Sequence, residues 1–158
     1  MVLIGIGREL SATGDSQEDL RRIEAMNVLC TLTRGKTYFA VSENEDDLVY
    51  QTKLLPFFIT APFDPVERDG NGQQQWESYL HWLSGTLGHR LLVLELGVGF
   101  ASPQVIRWPF ERTVQMNLKS TLVRVQTAFP QLPEEIAEAG RGYSIAMDPS
   151  QWLLGLSV

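Results

Sequence analysis

The chain has one cysteine, two histidines and a deficit of positive charge, 13 Lys and Arg against 19 Asp and Glu in 158 residues. A single thiol cannot close an internal disulfide or build a Cys-rich tetrahedral zinc site, so Cys30 reads as a small buried apolar residue of a helix. A formal charge of −6 excludes a binder of phosphate backbones, whose sequence-independent affinity needs clustered Lys and Arg, and no nucleic-acid partner is expected. No apolar run has the length that crosses a bilayer, which leaves no membrane partner. The N-terminus also lacks the charged, apolar and cleavage regions of a secretory signal, so the expected address is cytoplasmic. Internal repeats and low-complexity tracts are absent.

What is present is an ordinary globular composition, 44% hydrophobic and 20% charged, which suits one domain over residues 1–158 with a real core. The most informative stretch is Leu91 to Glu111, LLVLELGVGFASPQVIRWPFE. Its apolar run, interrupted by one Glu, breaks at Gly97 and Gly99. A run this apolar does not suit a sheet with one wet face, and predicts a central strand covered on both sides, as in parallel α/β sheets. Ligands of such sheets lie beyond the carboxyl ends of the strands. Two glycines at that end remove side chains where a backbone, or the ribose and phosphates of a ligand, must come close; a tight strand-to-loop turn explains the same pair.

The remaining chain alternates strands and helices. Met1 to Gly7 reads as a first strand entering a turn at Gly5 and Gly7. Asp15 to Thr33 reads as a helix with Ser16 and Asp19 as a capping pair, Leu20, Ile23, Met26 or Asn27, and Cys30 on one face, and Gly35 as its terminator. Thr37 to Val41 is a second strand, followed by the acidic Ser42-Glu43-Asn44-Glu45-Asp46, which by itself suits an acidic loop and a helix N-cap. Leu54 to Ala61 is expected as a third strand with Pro56 near its start, and Pro62 to Gln75 as the most loop-like part of the chain. Gln73 to Leu87 places Trp76, Tyr79, Leu80, Leu83 and Leu87 at helical spacing, with His81 off that stripe one turn after Glu77. That pair suits a general base less well than an exposed i,i+4 contact. Arg107 is positioned to meet an anionic ligand or to pair with Glu95 or Glu111. Thr121 to Gln126 is a further strand, Leu132 to Ala139 a short helix opened by Pro133, and Tyr143 to Met147 a last strand. Asp148-Pro149 then caps a C-terminal helix with Trp152, Leu153 and Leu156. Together these predict an α/β domain in three layers, a Rossmann-like parallel sheet with helices on both faces.

Several of these segments resemble one family. Glu95-Leu96-Gly97-Val98-Gly99-Phe100, followed by Pro103, Ile106-Arg107 and Pro109-Phe110-Glu111, is similar to a branch of the sirtuins related to the macrodomain-linked bacterial members. Gly5-Ile6-Gly7-Arg8-Glu9-Leu10-Ser11-Ala12 looks like their Gly-Ala-Gly-Ala-Gly-Leu-Ser-Ala loop, with Arg8 and Glu9 in place of Ala and Gly. Ser42 to Asp46 resembles their Thr-Gln-Asn-Ile-Asp motif, with Glu43 and Glu45 as departures. Thr121 to Gln126 resembles Leu-Ile-Arg-Ile-Asn, with Gln126 for the final Asn. The similarity is strongest from Trp76 to Gln126 and absent between Lys53 and Gln75.

The resemblance implies a DHS-like NAD/FAD-binding fold without the small zinc domain, with NAD as cofactor and no zinc. In it Gly5, Gly7 and Ser11 border the diphosphate, and Asn44 and Asp46 face the nicotinamide ribose as the catalytic pair. Gly97, Gly99 and Gln126 take the remaining sugar and phosphates, and Met147 and Asp148 lie near adenine. The family's His base and four-Cys ribbon have no counterpart. The leading expectation is therefore a divergent protein that binds NAD or an ADP-ribose-like nucleotide, with weakened affinity and no deacylation. The alternatives are an active deacylase or ADP-ribosyltransferase, and a scaffold that binds a protein partner and no nucleotide.

Overall fold

A computed structural model describes residues 1–65 and 70–156. Its strands are β1 Val2–Ile6, β2 Tyr38–Ser42, β3 Ile59–Thr60, β4 Leu91–Leu96, β5 Ser120–Val125 and β6 Gly142–Ile145. Its helices are α1 Ser16–Leu32, α2 Gly72–Ser84, α3 Arg107–Met116, α4 Glu134–Glu138 and α5 Pro149–Leu154. The strands form one sheet in the order β3-β2-β1-β4-β5-β6, every pair parallel. A parallel pair needs a crossover; α1 supplies it on one face, α2, α3 and α4 on the other, and the step from β2 to β3 is made through two 3-10 turns.

Side-chain alternation divides the sheet into two cores. Val2, Ile4 and Ile6 of β1, with Ala40, Leu94 and Val125, pack under α1 and α5 through Ala25, Met26, Leu29 and Leu153. Leu3, Phe39, Val41, Val93 and Leu122 face the other way, against Tyr79 of α2, Ile106 and Phe110 of α3, and Ile136 of α4. β1 and β4 are covered on both sides, which is why they read as nearly continuous apolar runs. The architecture is the three-layer Rossmann-like one. Among the described residues no helix is long and apolar enough to cross a membrane.

Four local expectations are corrected. The strand expected over Leu54 to Ala61 pairs only at Ile59 and Thr60, because Pro56 opens a 3-10 turn and the Leu55 amide is taken by Tyr38 Oη at 2.9 Å. Helix α1 is capped by Asp15, whose carboxylate accepts from the Gln17 and Glu18 amides, while Asp19 accepts from the Thr13 amide at 2.7 Å. Its inward face is Ala25, Met26 and Leu29, leaving Leu20 exposed and Cys30 half-buried. The long loop ends earlier than expected, at Gly72, and its residues 66–69 lie outside the described residues. Helix α2 stops at Gly85, so Leu87 and the outward Leu80 stay exposed, and Tyr79 carries the burial of that stripe.

Candidate functional site

Because all strands are parallel, every loop that follows a strand opens on one edge, and the strand order reverses direction between β1 and β4. In open α/β sheets that reversal leaves a crevice at the carboxyl ends. The turns after β1, β2 and β4 meet there. The Gly7 amide donates to Leu96 O at 2.9 Å, Asn44 Nδ2 donates to Gly7 O at 2.9 Å, and the Glu9 amide donates to Gly97 O at 3.3 Å. Gly97 has φ +71°, the left-handed conformation glycine allows.

The glycines of these turns admit protein atoms. A Cβ on Gly7 would sit 2.2 Å from Gly97 O, one on Gly97 2.6 Å from Glu9 Cβ, and one on Gly99 3.2 Å from Gln126 Nε2. Gly5 is not at the edge. It lies within β1, where a Cβ would fall 2.6 Å from Ile106 Cγ2 and 2.9 Å from Phe110, so its missing side chain brings α3 onto the sheet.

Most polar side chains of this edge are engaged within the fold, some tying one loop to another and some bracing their own. Asp46 accepts from the Ala12 amide at 2.8 Å and the Leu48 amide at 3.0 Å, tying the loop after β1 to that after β2. Ser11 Oγ donates to Arg8 O at 2.6 Å, and Ser11 O accepts from the Arg22 guanidinium. Gln126 Oε1 accepts the Ala128 and Phe129 amides at 2.7 and 2.5 Å. Asp148 caps α5 by accepting from Gln151 N at 3.0 Å, beside Met147 at the end of β6. Glu9 does not pair with Arg8; its carboxylate swings across the end of β4 to accept from the Thr127 amide at 2.9 Å and the Thr127 hydroxyl.

Several buried atoms of the edge make no hydrogen bond among the described residues. Both carboxylate oxygens of Glu43 and Oδ1 of Asn44 have none, with the residues 0% and 1% exposed. Burial pushes the Glu43 carboxyl up to about 7, and the nearby amide and charge of Arg8, which close no hydrogen bond of good geometry with it, offset this only in part. Arg8 Nε is itself buried and unbonded. Alternation with Phe39 and Val41 puts Glu43 on the α2–α3 face of the sheet, together with Glu95.

Of the charged network beside it, sequence reasoning gives the pairing of Arg107 with Glu111 as one alternative and misses Arg124. Arg124 on β5 lies opposite Glu95 in the β4–β5 register. Its Nε donates to Glu95 Oε2 at 2.5 Å, its Nη2 to Glu111 at 2.8 Å and its Nη1 to Gln131 O at 2.7 Å. Arg107 pairs with Glu111 at 3.9 Å, donates to Val98 O at 3.0 Å and covers the Phe100 ring at 4.1 Å, so its charge is held inside the fold. Burial pushes the Glu95 carboxyl up and Arg124 pulls it back. We take the pair as ionised, since a guanidinium keeps its protons and its Nε–H requires an acceptor. The signal was available: one Glu and one Arg, each alone inside an apolar strand.

The histidines lie elsewhere. His81 is in the last turns of α2 and His89 just before β4, both toward the amino edge, and Glu77 accepts from Gln73 Nε2 at 3.2 Å. Among the described residues no group of three His, Cys, Asp or Glu side chains is placed to hold a metal ion.

No family model matches this chain, and no curated protein does. Fold and side-chain geometry therefore carry the functional reading.

Proposed function

We propose that the carboxyl edge binds an NAD- or ADP-ribose-like nucleotide and does so without deacylating a substrate. The observation that carries this reading is the set of unpartnered buried atoms, Glu43 Oε1, Glu43 Oε2 and Asn44 Oδ1, where the turns after β1, β2 and β4 meet. Buried polar groups are nearly always satisfied, and groups that are not concentrate where a ligand or a reacting group completes them. Ribose hydroxyls and a carboxamide supply the donors these acceptors need. The similarity to sirtuin loops supports the same assignment of Gly7, Ser11, Asn44, Asp46, Gly97, Gly99, Gln126, Met147 and Asp148 to the nucleotide, and with it the DHS-like form of the Rossmann sheet.

The fit of these residues to NAD is good on the ribosyl side and poor at the phosphates, where Glu9 main chain lies on Gly97 and fills the space the glycine leaves. Weak binding follows. The charge of Glu43 opposes the ligand less than composition implies, because a carboxyl with a value near 7 is half protonated at neutral pH. When bound, NAD supplies a labile bond between ribose and nicotinamide. This edge offers no histidine to remove a proton from the ribose, and Asn44 and Asp46 act as positioning residues.

Titration calorimetry with NAD and with ADP-ribose at millimolar concentration tests the reading. Heat from at least one ligand, stronger at pH 6 than at pH 8, with no nicotinamide released, is the expected outcome; the absence of heat from both ligands ends it. Nicotinamide release that Asn44→Ala or Asp46→Ala abolishes would favour the enzymatic alternative.

A second reading, a closed edge that serves as scaffold, is favoured by one observation. The spaces at Gly7, Gly97 and Gly99 are each taken by the protein's own atoms. The same calorimetry separates it from the first.

A further inference from the structure

The opposite, amino edge of the sheet carries a cavity of about 430 Å³, walled by the end of α1, the Gly35 turn, the start of β2 and the segment leading to β3. Arg34, Lys36 and Lys53 line it together with Tyr38, Phe58 and Trp82, and among the described residues no Asp or Glu does. None of the three cations forms an ion pair among the described residues. The chain has a net charge of −6, yet all of its lysines stand on this edge: Lys36, Lys53 and, in the adjoining cavity that shares Lys36, Lys119. The positive potential is therefore a local arrangement that opposes the charge of the whole molecule.

Two complementary chemistries meet inside this cavity. Tyr38 and Phe58 pack edge to face with centroids 5.4 Å apart, and Trp82 lies 6.0 Å from Phe39 behind them, which makes a preformed aromatic floor. The Tyr38 hydroxyl accepts the Leu55 amide at 2.9 Å and keeps its own proton to donate. Lys36 Nζ gives one hydrogen bond to Leu32 O at 3.2 Å and retains two donors. The volume falls within the range of small-molecule sites, about 300–1,000 Å³.

We propose that this cavity binds a small molecule bearing one carboxylate or phosphate on a flat aromatic ring. The ring lies against Tyr38, Phe58 and Trp82, and the anion is held by Arg34, Lys36 and Lys53. The two contributions are separable. A bare anion meets three solvated cations with no apolar gain, and a neutral ring meets the floor with no charge pairing. The site is independent of the nucleotide reading, being on the other edge of the sheet.

Cys30 lines the same cavity and is the only thiol in the chain, so its alkylation by N-ethylmaleimide reports occupancy in the intact protein. Phenyl phosphate is expected to slow alkylation in a saturable way, at a concentration about tenfold lower than inorganic phosphate or benzyl alcohol needs, roughly 1.4 kcal/mol. The Lys36→Gln/Lys53→Gln double variant should lose that protection while keeping its circular dichroism and melting temperature, both side chains being on the surface. Lys53 also acts electrostatically on the Cys30 thiol, so rates are compared as ratios with and without probe within each variant. Calorimetry with phenyl phosphate on wild type and double variant gives a second measurement that does not involve the thiol. Equal protection by inorganic phosphate, no protection at millimolar phenyl phosphate, or protection that survives in the double variant would each overturn the proposal.

Discussion

Glu95 and Glu43 are both completely buried carboxylates on the same face of one sheet, toward the carboxyl ends of β4 and β2 on either side of β1, and they are held in opposite ways. Glu95 has Arg124 at 2.5 Å in the next strand, with Glu111 and Arg107 completing a network of balanced charge. Glu43 has only the amide and charge of Arg8 nearby, with no hydrogen bond closed to it, and its carboxyl is pushed up to about 7. A compensated buried ion is part of the scaffold, since removing either half leaves the other exposed to a low-dielectric interior. An uncompensated one is a standing penalty that folding tolerates, and it marks the region where stability has been yielded to something else.

Four measurements probe how these buried and crowded positions contribute. Arg124→Met leaves Glu95 buried alone and is expected to destabilise the domain by about 3–5 kcal/mol in chemical denaturation. The double variant Glu95→Leu/Arg124→Met should recover most of that loss, and a single-variant loss below about 1 kcal/mol would show that the pair is not structural. Gly7→Ala places a Cβ 2.2 Å from Gly97 O and should lower stability by about 1–3 kcal/mol, because backbone on both sides must shift.

Glu43→Gln acts in the other direction. The folded value near 7 lies above the ordinary 4.5, so the native protein holds a proton the unfolded chain has already released between those values. Stability should therefore fall as pH rises from 4.5 to 7 and level off above it. The glutamine variant should lose this slope and gain about 1–3 kcal/mol at pH 8, with little change near pH 4. A wild-type profile that rises with pH over the same interval would contradict the burial of an unpaired acid at β2. The smallest effect belongs to Glu9→Ala, which cuts the tie between the loop after β1 and Thr127. About 1 kcal/mol is expected, together with faster amide exchange at Thr127.

The same contrast explains which features could be read in advance. Leu91 to Leu96 and Val2 to Ile6 are apolar enough to require cover on both faces, and the glycines after them mark strand ends, so the parallel sheet and the crowded turns at Gly7 and Gly97 follow from local pattern. The extent of the third strand did not follow: of Leu54 to Ala61 only Ile59 and Thr60 pair. Their pairing depends on β2, and the aromatic, β-branched run around Pro56 has the composition of a strand while the proline and Tyr38 Oη prevent the ladder. The ligand cradle expected at Gly5 is not there, because a glycine vacancy carries no label for its occupant; Ile106 and Phe110, a hundred residues on, fill it.

The amphipathic periods, the turn residues and the single cysteine decided the class of the fold and excluded an internal disulfide, since each depends only on residues close in the chain or on totals. Which carboxylate found a guanidinium, where Glu9 turned and which cations gathered at the amino edge were decided by tertiary structure alone. Coulomb and hydrogen-bond energies depend on separation in space, and the strands that set those separations, β2, β4 and β5, are brought together only when the sheet closes.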